Sequence, residues 1–380
     1  MRVVVARRAH GLSSGSLTRG DSATRSSCPP GYYFRPGAAA GRLRWHIYLP
    51  GGAWCVTPAD CAARAGTRLG SSKSFPANPA HYAAQLRPPF EGILSGSAQQ
   101  NPALYQWNLV RLIYCDGGGY AGTRGALNVS LASPAAAAPR NASSAANSTG
   151  STKSSAPSTA AIYLDGWNII QAVIADLVQK RKMRSASQVL LSGSSAGGQA
   201  TVNLCDWLAS SFPSASTRCL VDSGFFLDTR DRAMNYTFRS LAQNLTALHR
   251  PSNPTCPYAA RPAQLWRCFF PQYTLHNTCT PLFLFHTPFD YVAAMIGNLL
   301  PSNSTYAISC LREMINSQKN LSSIGNLDVI KGPGIRARVA FSEGMTWHAM
   351  KTYGKVWGGD EMGMHEDEVD KNAREWDELS

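Results

Sequence analysis

Six short apolar runs that lead abruptly into residues such as Gly, Asp or Ser constrain the fold of this chain more than any other feature of its sequence. They occupy residues 45–49, 109–115, 188–192, 219–221, 281–285 and 338–341. Each has the length and near-continuous apolarity of a strand buried in a parallel sheet. Between the second and third runs, apolar residues repeat on one helical face, at Ile169, Ile170, Val173, Ile174, Leu177 and Val178. This alternation predicts an α/β fold of the α/β-hydrolase type, with a mostly parallel central sheet and helices on both faces.

The length and composition place most of the chain in a folded domain. A globular chain of 380 residues with 44% hydrophobic and 16% charged residues fits one large α/β domain or two smaller ones. We interpret residues 28–358 as a single domain. Residues 1–27 are basic, small and polar, and we expect them to be disordered. Residues 125–159, rich in Ala and Ser without an apolar period, are predicted to be a flexible insertion, and residues 359–380 an acidic tail.

The formal charge of +13 is unevenly distributed along the chain. The last 21 residues carry nine acidic side chains against Lys371 and Arg374, which leaves the rest near +20. Such a body attracts polyanions, of which an acidic polysaccharide is one, although a solvated basic surface explains the charge equally well. Nothing resembles a nucleic-acid-binding module, and no stretch approaches the ~18 consecutive apolar residues of a membrane span. We therefore expect a monomer that binds neither nucleic acid nor membrane.

Cysteines and glycosylation sequons indicate a secreted protein of the extracellular space or cell wall. The ten cysteines lack the spacing of a zinc module, so disulfide bonds are the simpler account. Sequons occur at Asn128, Asn141, Asn147, Asn235, Asn244, Asn303 and Asn320, which agrees with a secretory route. The first twenty residues lack the apolar stretch of ~7–15 residues found in a signal peptide. Their Arg- and Ser-rich composition is closer to that of an organelle transit peptide, but the cysteines and sequons outweigh it.

The most specific chemical motif is the G-x-S-x-G pattern of residues 193–197, which lies between a predicted strand and a predicted helix. A nucleophile on a sharp strand-to-helix turn needs glycine at the flanking positions so that the backbones can pass. Ser195 occupies the nucleophile position, whereas Ser194 occupies the x position. The alternative is an ordinary turn that is capped by one of these serines.

Two acids and two histidines downstream of Ser195 are candidates for the rest of a catalytic triad. In α/β-hydrolases the chain order is nucleophile, acid, histidine. Asp290 follows the next-to-last predicted strand, whereas Asp222 could instead accept hydrogen bonds from backbone amides in its own turn. His348 follows the last predicted strand, whereas His365 lies in the acidic tail. We predict Asp290 as the acid and His348 as the base, with a packed loop histidine as the alternative role for His348.

An oxyanion hole needs backbone N–H donors that are already in place. The amide of Ala196, directly after the nucleophile, is one candidate, and the glycine turn after the first predicted strand supplies Gly52 and Ala53. The glycines of this turn could alternatively serve only to make it tight. Serine-esterase chemistry needs no metal or organic cofactor, and we expect none.

The motifs assembled so far resemble those of the pectin acetylesterase family, whose animal relatives include the Notum carboxylesterases. PGGAWC at 50–55 is similar to the family's LEGGGWC, and TRLGSSK at 67–73 matches its TRLGSSK. LSGSSAGG at 191–198 is similar to LSGCSAGG, and DSGFF at 222–226 to D(A/S)GFF. Further matches follow in the same order, and the resemblance covers the chain from Cys28 to about Trp357, with its main break at residues 125–159.

The resemblance implies fold, site and disulfide pairing together. It implies an α/β-hydrolase-like esterase with the triad Ser195, Asp290 and His348 and the same oxyanion donors. It also implies the disulfide bonds Cys28–Cys115, Cys55–Cys61, Cys205–Cys219 and Cys256–Cys268.

The chain departs from the family pattern at three positions near the site. Ala293 stands where the family usually has Gln, Met345 where it has Cys, and Ala53 where it has a third Gly. These changes leave the triad intact but affect the expected substrate choice and the pairing of Cys279 and Cys310.

Three functions follow from this reading of the sequence. The leading hypothesis is hydrolysis of acetyl esters on an anionic cell-wall polysaccharide, with pectin as the family's usual substrate. The second is removal of a longer acyl group from protein or lipid, as in the Notum branch. The third is an inactive polysaccharide-binding wall protein.

Overall fold

A computed structural model of the chain describes eight stretches, and all structural statements below concern them. They are residues 2–5, 30–71, 92–130, 159–231, 233–286, 321–324, 327–330 and 337–341. Among these residues, no helix has the length and apolarity needed to cross a membrane.

The described stretches contain twelve strands and five α-helices. The strands are β1 (Arg2–Val5), β2 (Gly31–Arg35), β3 (Arg44–Leu49), β4 (Asn108–Leu112), β5 (Gly125–Ser130), β6 (Thr159–Leu164), β7 (Gln188–Ser194), β8 (Ser216–Asp222), β9 (Leu282–His286), β10 (Leu321–Ile324), β11 (Leu327–Ile330) and β12 (Ala337–Phe341). The α-helices are α1 (Pro58–Ala65), α2 (Gly166–Lys180), α3 (Ala196–Ser211), α4 (Thr237–His249) and α5 (Pro271–Thr274). Short 3-10 helices lie at Ala39–Gly41, Gly92–Leu94, Met183–Ser185, Pro262–Phe269 and Leu275–Asn277.

Ten strands form one sheet in the order β1-β2-β4-β3-β7-β8-β9-β12-β11-β10. The six central strands, from β4 to β12, are all parallel. The pairs at both edges are antiparallel. The predicted fold class is confirmed, because a mostly parallel central sheet with helices packed against it is the α/β-hydrolase arrangement.

The core lies between the central strands and the helices that follow them. On β3, Trp45, Ile47 and Leu49 are buried, and on α3 Leu204 and Leu208 are buried. Each fully buried side chain of this size stabilises the fold by about 1.5–3 kcal/mol. The predicted helical face on α2 is also confirmed, since five of its six residues are buried and Val178 packs against the same cluster.

The sequence predictions for residues 1–27 and 125–159 differ from the structure where it describes them. Arg2–Val5 is not disordered but pairs antiparallel with β2, because its run of valines suits an edge strand. The first six residues of the Ala- and Ser-rich segment form β5, which pairs antiparallel with β6, the strand that begins at the last residue of the segment. Val129 and Ile162 of that ribbon are buried with the cysteines of the Cys55–Cys61 disulfide, a tertiary contact that local composition does not reveal. Residues 6–29 and 131–158 lie outside the described stretches.

Three of the implied disulfide bonds are present, Cys55–Cys61, Cys205–Cys219 and Cys256–Cys268. The second ties α3 to β8, the two elements on either side of the site. Cys115 is also disulfide-bonded, and Cys28, its partner in the implied pairing, lies outside the described residues. Cys279 is exposed and forms no disulfide bond with the cysteines that the structure describes, and Cys310 lies outside the described part of the chain.

Candidate active site

Ser195 occupies the turn between β7 and α3 in a backbone conformation that residues with side chains rarely adopt. Its φ is 53° and its ψ is −125°, a combination that is sterically disfavoured for any residue except glycine. Strained backbone of this kind is typical of functional sites and persists only where the surrounding structure imposes it. The predicted sharp strand-to-helix turn is therefore present at Ser195.

Glycines on both sides of Ser195 make this turn possible. A Cβ atom on Gly193 would overlap the carbonyl oxygen of Gly197, and one on Gly197 would overlap that of Leu49. The two glycines thus let β7, the start of α3 and the end of β3 approach one another closely. The glycines of the G-x-S-x-G motif therefore have the predicted steric cause, which is the close passage of backbones on both sides of Ser195.

Ser195 is fixed through its backbone, while its hydroxyl remains available. Its N–H donates to the carbonyl oxygen of Asp222 at 3.0 Å, and its carbonyl accepts from the N–H of Gln199 at 3.0 Å. The Oγ atom is buried and has no hydrogen-bond partner among the residues that the structure describes. Ser194 differs, because its Oγ lies 3.1 Å from the hydroxyl of Tyr48.

The glycine turn after β3 lies directly against Ser195. A Cβ atom on Gly51 would lie 2.7 Å from the Cβ of Ser195 and 3.3 Å from its Oγ. The next two residues have positive φ angles, 151° at Gly52 and 50° at Ala53. Ala53 therefore holds a left-handed conformation that favours glycine, which gives a physical reason for the third glycine of the family motif.

A second loop holds this turn in place. The hydroxyl of Tyr114 donates to the carbonyl oxygen of Ala53 at 2.7 Å and accepts from the N–H of Gly119 at 3.1 Å. The hydroxyl of Tyr120 donates to the carbonyl oxygen of Pro50 at 3.2 Å. Burial raises the pKa of both tyrosines, so both hydroxyls remain protonated donors. The loop after β4 thus braces the turn that carries the predicted oxyanion donors.

Asp116 organises that bracing loop. Its carboxylate accepts from the N–H of Gly118 at 2.9 Å and from the N–H of Tyr120 at 3.2 Å. Burial raises the pKa of Asp116 to about 6, so the group is charged at neutral pH. Neither Tyr114 nor Asp116 is given a role by the sequence alone. The contact that reveals the bracing joins Tyr114 to Ala53, which is 61 residues away.

The third predicted oxyanion donor, Ala196, is the first residue of α3. The first N–H groups of an α-helix have no partner within the helix and lie at the positive end of its dipole. Gly52, Ala53, Ser195 and Ala196 therefore occupy two adjoining turns at the carboxyl end of the sheet. That arrangement suits a negative charge developing on a substrate oxygen.

The predicted acid and base, Asp290 and His348, lie outside the described residues. The strands that precede them are neighbours in the sheet, since β9 and β12 pair in parallel with His286 opposite Phe341. The carboxyl ends of both strands are at the same edge as Ser195. Asp222, the alternative acid, accepts a hydrogen bond from the hydroxyl of Ser223 at 3.0 Å.

Two other histidines are buried near the site. The Nε2 atom of His46 lies 2.6 Å from the hydroxyl oxygen of Ser192, and the Nε2 of His249 lies 2.8 Å from the carbonyl oxygen of Cys55. Burial lowers the pKa of His46 to about 3 and that of His249 to about 4. Both histidines are therefore neutral parts of the core.

One cluster of potential metal ligands occurs in the described part of the chain, formed by Cys55, Cys61 and His249. The two sulfur atoms are joined in a disulfide bond, so neither is a thiolate that could bind a metal ion. The cluster is a packing contact between the disulfide and the imidazole ring.

Comparison with known proteins places these residues in a family context. The family model described as Pectinacetylesterase matches residues 25–132 and 143–329. Pectin acetylesterase 5 of Arabidopsis thaliana is 33% identical over 284 residues, which are 74% of this chain and 57% of the relative. Pectin acetylesterase 4 of the same organism is 31% identical over 284 residues, which are 74% of this chain and 59% of the relative. Palmitoleoyl-protein carboxylesterase notum1 of Xenopus laevis is 28% identical over 306 residues, which are 76% of this chain and 53% of the relative. The chain thus spans somewhat more than half the length of these relatives.

Proposed function

This chain belongs to the pectinacetylesterase family, and from that membership we propose that it is a serine carboxylesterase that removes acetyl groups from a cell-wall polysaccharide, with pectin as the substrate. The observation that carries the proposal is the geometry of Ser195. Its backbone is forced into a disfavoured conformation between β7 and α3, and its buried Oγ has no partner among the described residues. That is the arrangement of an activatable nucleophile at the carboxyl ends of the strands of a parallel sheet.

The proposed reaction proceeds in two steps through an acyl-enzyme. The Oγ of Ser195 attacks the ester carbonyl carbon while His348 takes its proton, and His348 then gives that proton to the sugar oxygen as the bond from this oxygen to the carbonyl carbon breaks. Water attacks the acetyl-enzyme in the second step and releases acetate. Asp290 holds His348 in the correct tautomer. The N–H groups of Gly52, Ala53 and Ala196 stabilise the oxyanion in both steps.

The substrate class is supported by the relatives and by the charge of the chain. Relatives with about 30% identity are named pectin acetylesterases, and the chain without its last 21 residues carries about +20, which favours an anionic polymer. We also propose that the protein is secreted and glycosylated. The disulfide bonds support this location, as does the exposure of Asn128, Asn235 and Asn244 in their sequons.

The first test is acetate release from acetylated pectin by the wild-type protein and by two adjacent serine variants. Ser195→Ala should reduce the rate by at least ~10³-fold, because the nucleophile is lost while binding and oxyanion stabilisation remain. Ser194→Ala is the matched control and should retain most of the activity, because Ser194 contacts Tyr48 rather than the reacting atoms. Equal rates in wild type and Ser195→Ala would show that Ser195 is not the nucleophile.

The same three proteins distinguish the alternative functions. A Notum-like deacylase would hydrolyse octanoyl chromogenic esters faster than acetyl esters and release no acetate from pectin. An inactive wall protein would not be labelled by a fluorophosphonate, which reacts with activated serines. We expect labelling of wild type and Ser194→Ala but not of Ser195→Ala.

A further inference from the structure

The segment around the Pro262–Phe269 helix carries strong positive charge without acidic neighbours in the sequence. Between Asp231 and Asp290 the chain contains five arginines and no Asp or Glu. We use the name arginine–aromatic patch for Arg267 together with Tyr258, Trp266 and Tyr273. All four residues are half-buried, so each presents part of its surface to solvent.

The two acidic side chains that precede this segment are already engaged. Asp228 receives two hydrogen bonds from Arg239, at 2.8 and 3.0 Å, and one from the hydroxyl of Tyr273 at 2.5 Å. Asp231 accepts from the hydroxyl of Thr237 at 2.6 Å and from two backbone N–H groups. Neither carboxylate is paired with Arg267.

Arg267 instead rests on aromatic rings. Its guanidinium carbon lies 5.5 Å from the ring centroids of Tyr258 and Trp266 and 5.2 Å from that of Tyr273. Its Nε atom is buried and has no hydrogen-bond partner within the described stretches. The Cys256–Cys268 disulfide closes the loop that carries two of these rings. The guanidinium is therefore held in one place, with hydrogen-bonding capacity that the described residues do not use.

Aromatic packing connects the arginine–aromatic patch to the proposed oxyanion turn. Trp54 directly follows Ala53, and its ring centroid lies 4.9 Å from that of Phe269. Phe269 is two residues from Arg267, a separation of at most ~7 Å along the backbone. The turn and the patch are thus joined by one ring contact and a short stretch of chain.

We propose that the arginine–aromatic patch binds a uronate residue of the polymer that carries the acetylated sugar. This inference rests on the proposed function, and it assigns the patch as a subsite for the polysaccharide backbone. A planar guanidinium matches a carboxylate with two parallel hydrogen bonds. The aromatic rings beside it offer flat apolar surfaces to the faces of the flanking sugars. A neutral polymer would gain only the second of these contacts.

The test measures binding of unesterified oligogalacturonates separately from catalysis, by calorimetry. Arg267→Gln should raise the dissociation constant about tenfold, the loss expected for one charge-assisted, hydrogen-bonded pair. Arg184→Gln is the matched control, because Arg184 is exposed and lies before the amino end of β7, whereas Ser195 follows its carboxyl end. It should bind the oligosaccharide as the wild type does. Equal affinity of Arg267→Gln and wild type would overturn the proposal.

A second comparison uses the wild-type protein alone and does not depend on the folding of a variant. Oligogalacturonates with methyl-esterified carboxyl groups should bind about tenfold more weakly than the unesterified ones, and added salt should reduce the difference. Equal affinity for both oligosaccharides would contradict a carboxylate subsite.

Catalytic assays separate this proposal from the proposed function. Arg267→Gln should raise KM for acetylated pectin about tenfold, leave kcat unchanged and leave hydrolysis of p-nitrophenyl acetate unaffected. If oligogalacturonate binding depends on Arg267 but no protein releases acetate from pectin, the subsite stands and the proposed esterase function is wrong. If acetate is released with the same KM in both proteins, the function stands and the subsite is wrong.

Discussion

Single residues at the candidate site adopt conformations that only their neighbours can explain. Ser195 and Ala53 both have positive φ angles, 53° and 50°, and each carries a side chain that disfavours this region. The Oγ of Ser195 has no hydrogen-bond partner among the described residues. The hydrogen bond from the Tyr114 hydroxyl to the Ala53 carbonyl oxygen stabilises the disfavoured conformation of Ala53.

Gly51 provides a test of how closely the two turns must approach. We expect Gly51→Ala to lower kcat by about 10²-fold, the loss typical of a misplacement of ~1 Å at a reacting group. The added Cβ would lie 2.7 Å from the Cβ of Ser195, so one of the turns must shift. Hydrolysis of p-nitrophenyl acetate measures the effect. Gly66→Ala is the control and should leave kcat unchanged, because an added Cβ would have the Ala63 carbonyl oxygen as its nearest neighbour, at 3.6 Å. Equal kcat values for the two variants would contradict the expectation.

Pairs of elements, rather than single elements, build the site. The parallel register places Leu49 of β3 opposite Gly193 of β7, and Ser194 opposite Asp222 of β8. The loops that follow these strands therefore start from one edge of the sheet. The loop after β4 completes the arrangement through Tyr114, which connects the turn after β3 to its own glycine-rich turn.

Removal of the Tyr114 hydroxyl tests this connection between loops. Tyr114→Phe should lower the free energy of unfolding by about 1–3 kcal/mol, because the carbonyl of Ala53 and the N–H of Gly119 each lose a partner. It should also lower kcat, since the oxyanion turn loses its brace. Urea unfolding and ester hydrolysis measure the two effects. Tyr163→Phe on β6 is the control, because the Tyr163 hydroxyl has no hydrogen bond to the residues that the structure describes. If Tyr114→Phe had the same free energy of unfolding and kcat as Tyr163→Phe, the bracing role would be refuted.

At the scale of the whole molecule, two histidines and one carboxylate among the described residues are buried with pKa values that make stability depend on pH in the acidic range. Burial lowers the pKa of His46 to about 3 and of His249 to about 4, and raises that of Asp116 to about 6. As pH falls below about 6.5, the unfolded chain takes up a proton at each histidine that the folded protein does not. Stability therefore falls with pH over that window. Asp116 opposes this effect below pH 6, since the folded protein binds its proton first.

The net effect can be measured by urea unfolding at several pH values. Between pH 6.5 and 5 the two histidines should cost about 3 kcal/mol, and Asp116 should offset about 1 kcal/mol of it. We expect these three groups to lower the free energy of unfolding by roughly 2 kcal/mol. His46→Gln should remove the contribution of His46, so the free energy of unfolding of this variant should depend less steeply on pH. An identical pH dependence in wild type and His46→Gln would contradict the assignment of His46 as a buried neutral group.

Local patterns in the sequence were sufficient to predict the strand-to-helix turn at Ser195 and the alternation of strands and helices. The motif of residues 193–197 is governed by contacts among neighbouring residues, and near-continuous apolar runs mark strands buried on both faces. The same reasoning failed for β1 and for the β5–β6 ribbon. Their pairing depends on partners elsewhere in the chain, and the surrounding composition is polar and small.

The tertiary structure alone decided how the site is supported. Tyr114 and Ala53 are separated by 61 residues, His249 and Cys55 by 194, and Tyr48 and Ser194 by 146. No periodicity or motif in one sequence encodes such contacts, because they depend on strand register and on the close approach of backbones at glycine. The sequence by itself determined which serine stands on the turn. The fold determined which buried hydroxyls, carboxylates and rings hold that turn in shape.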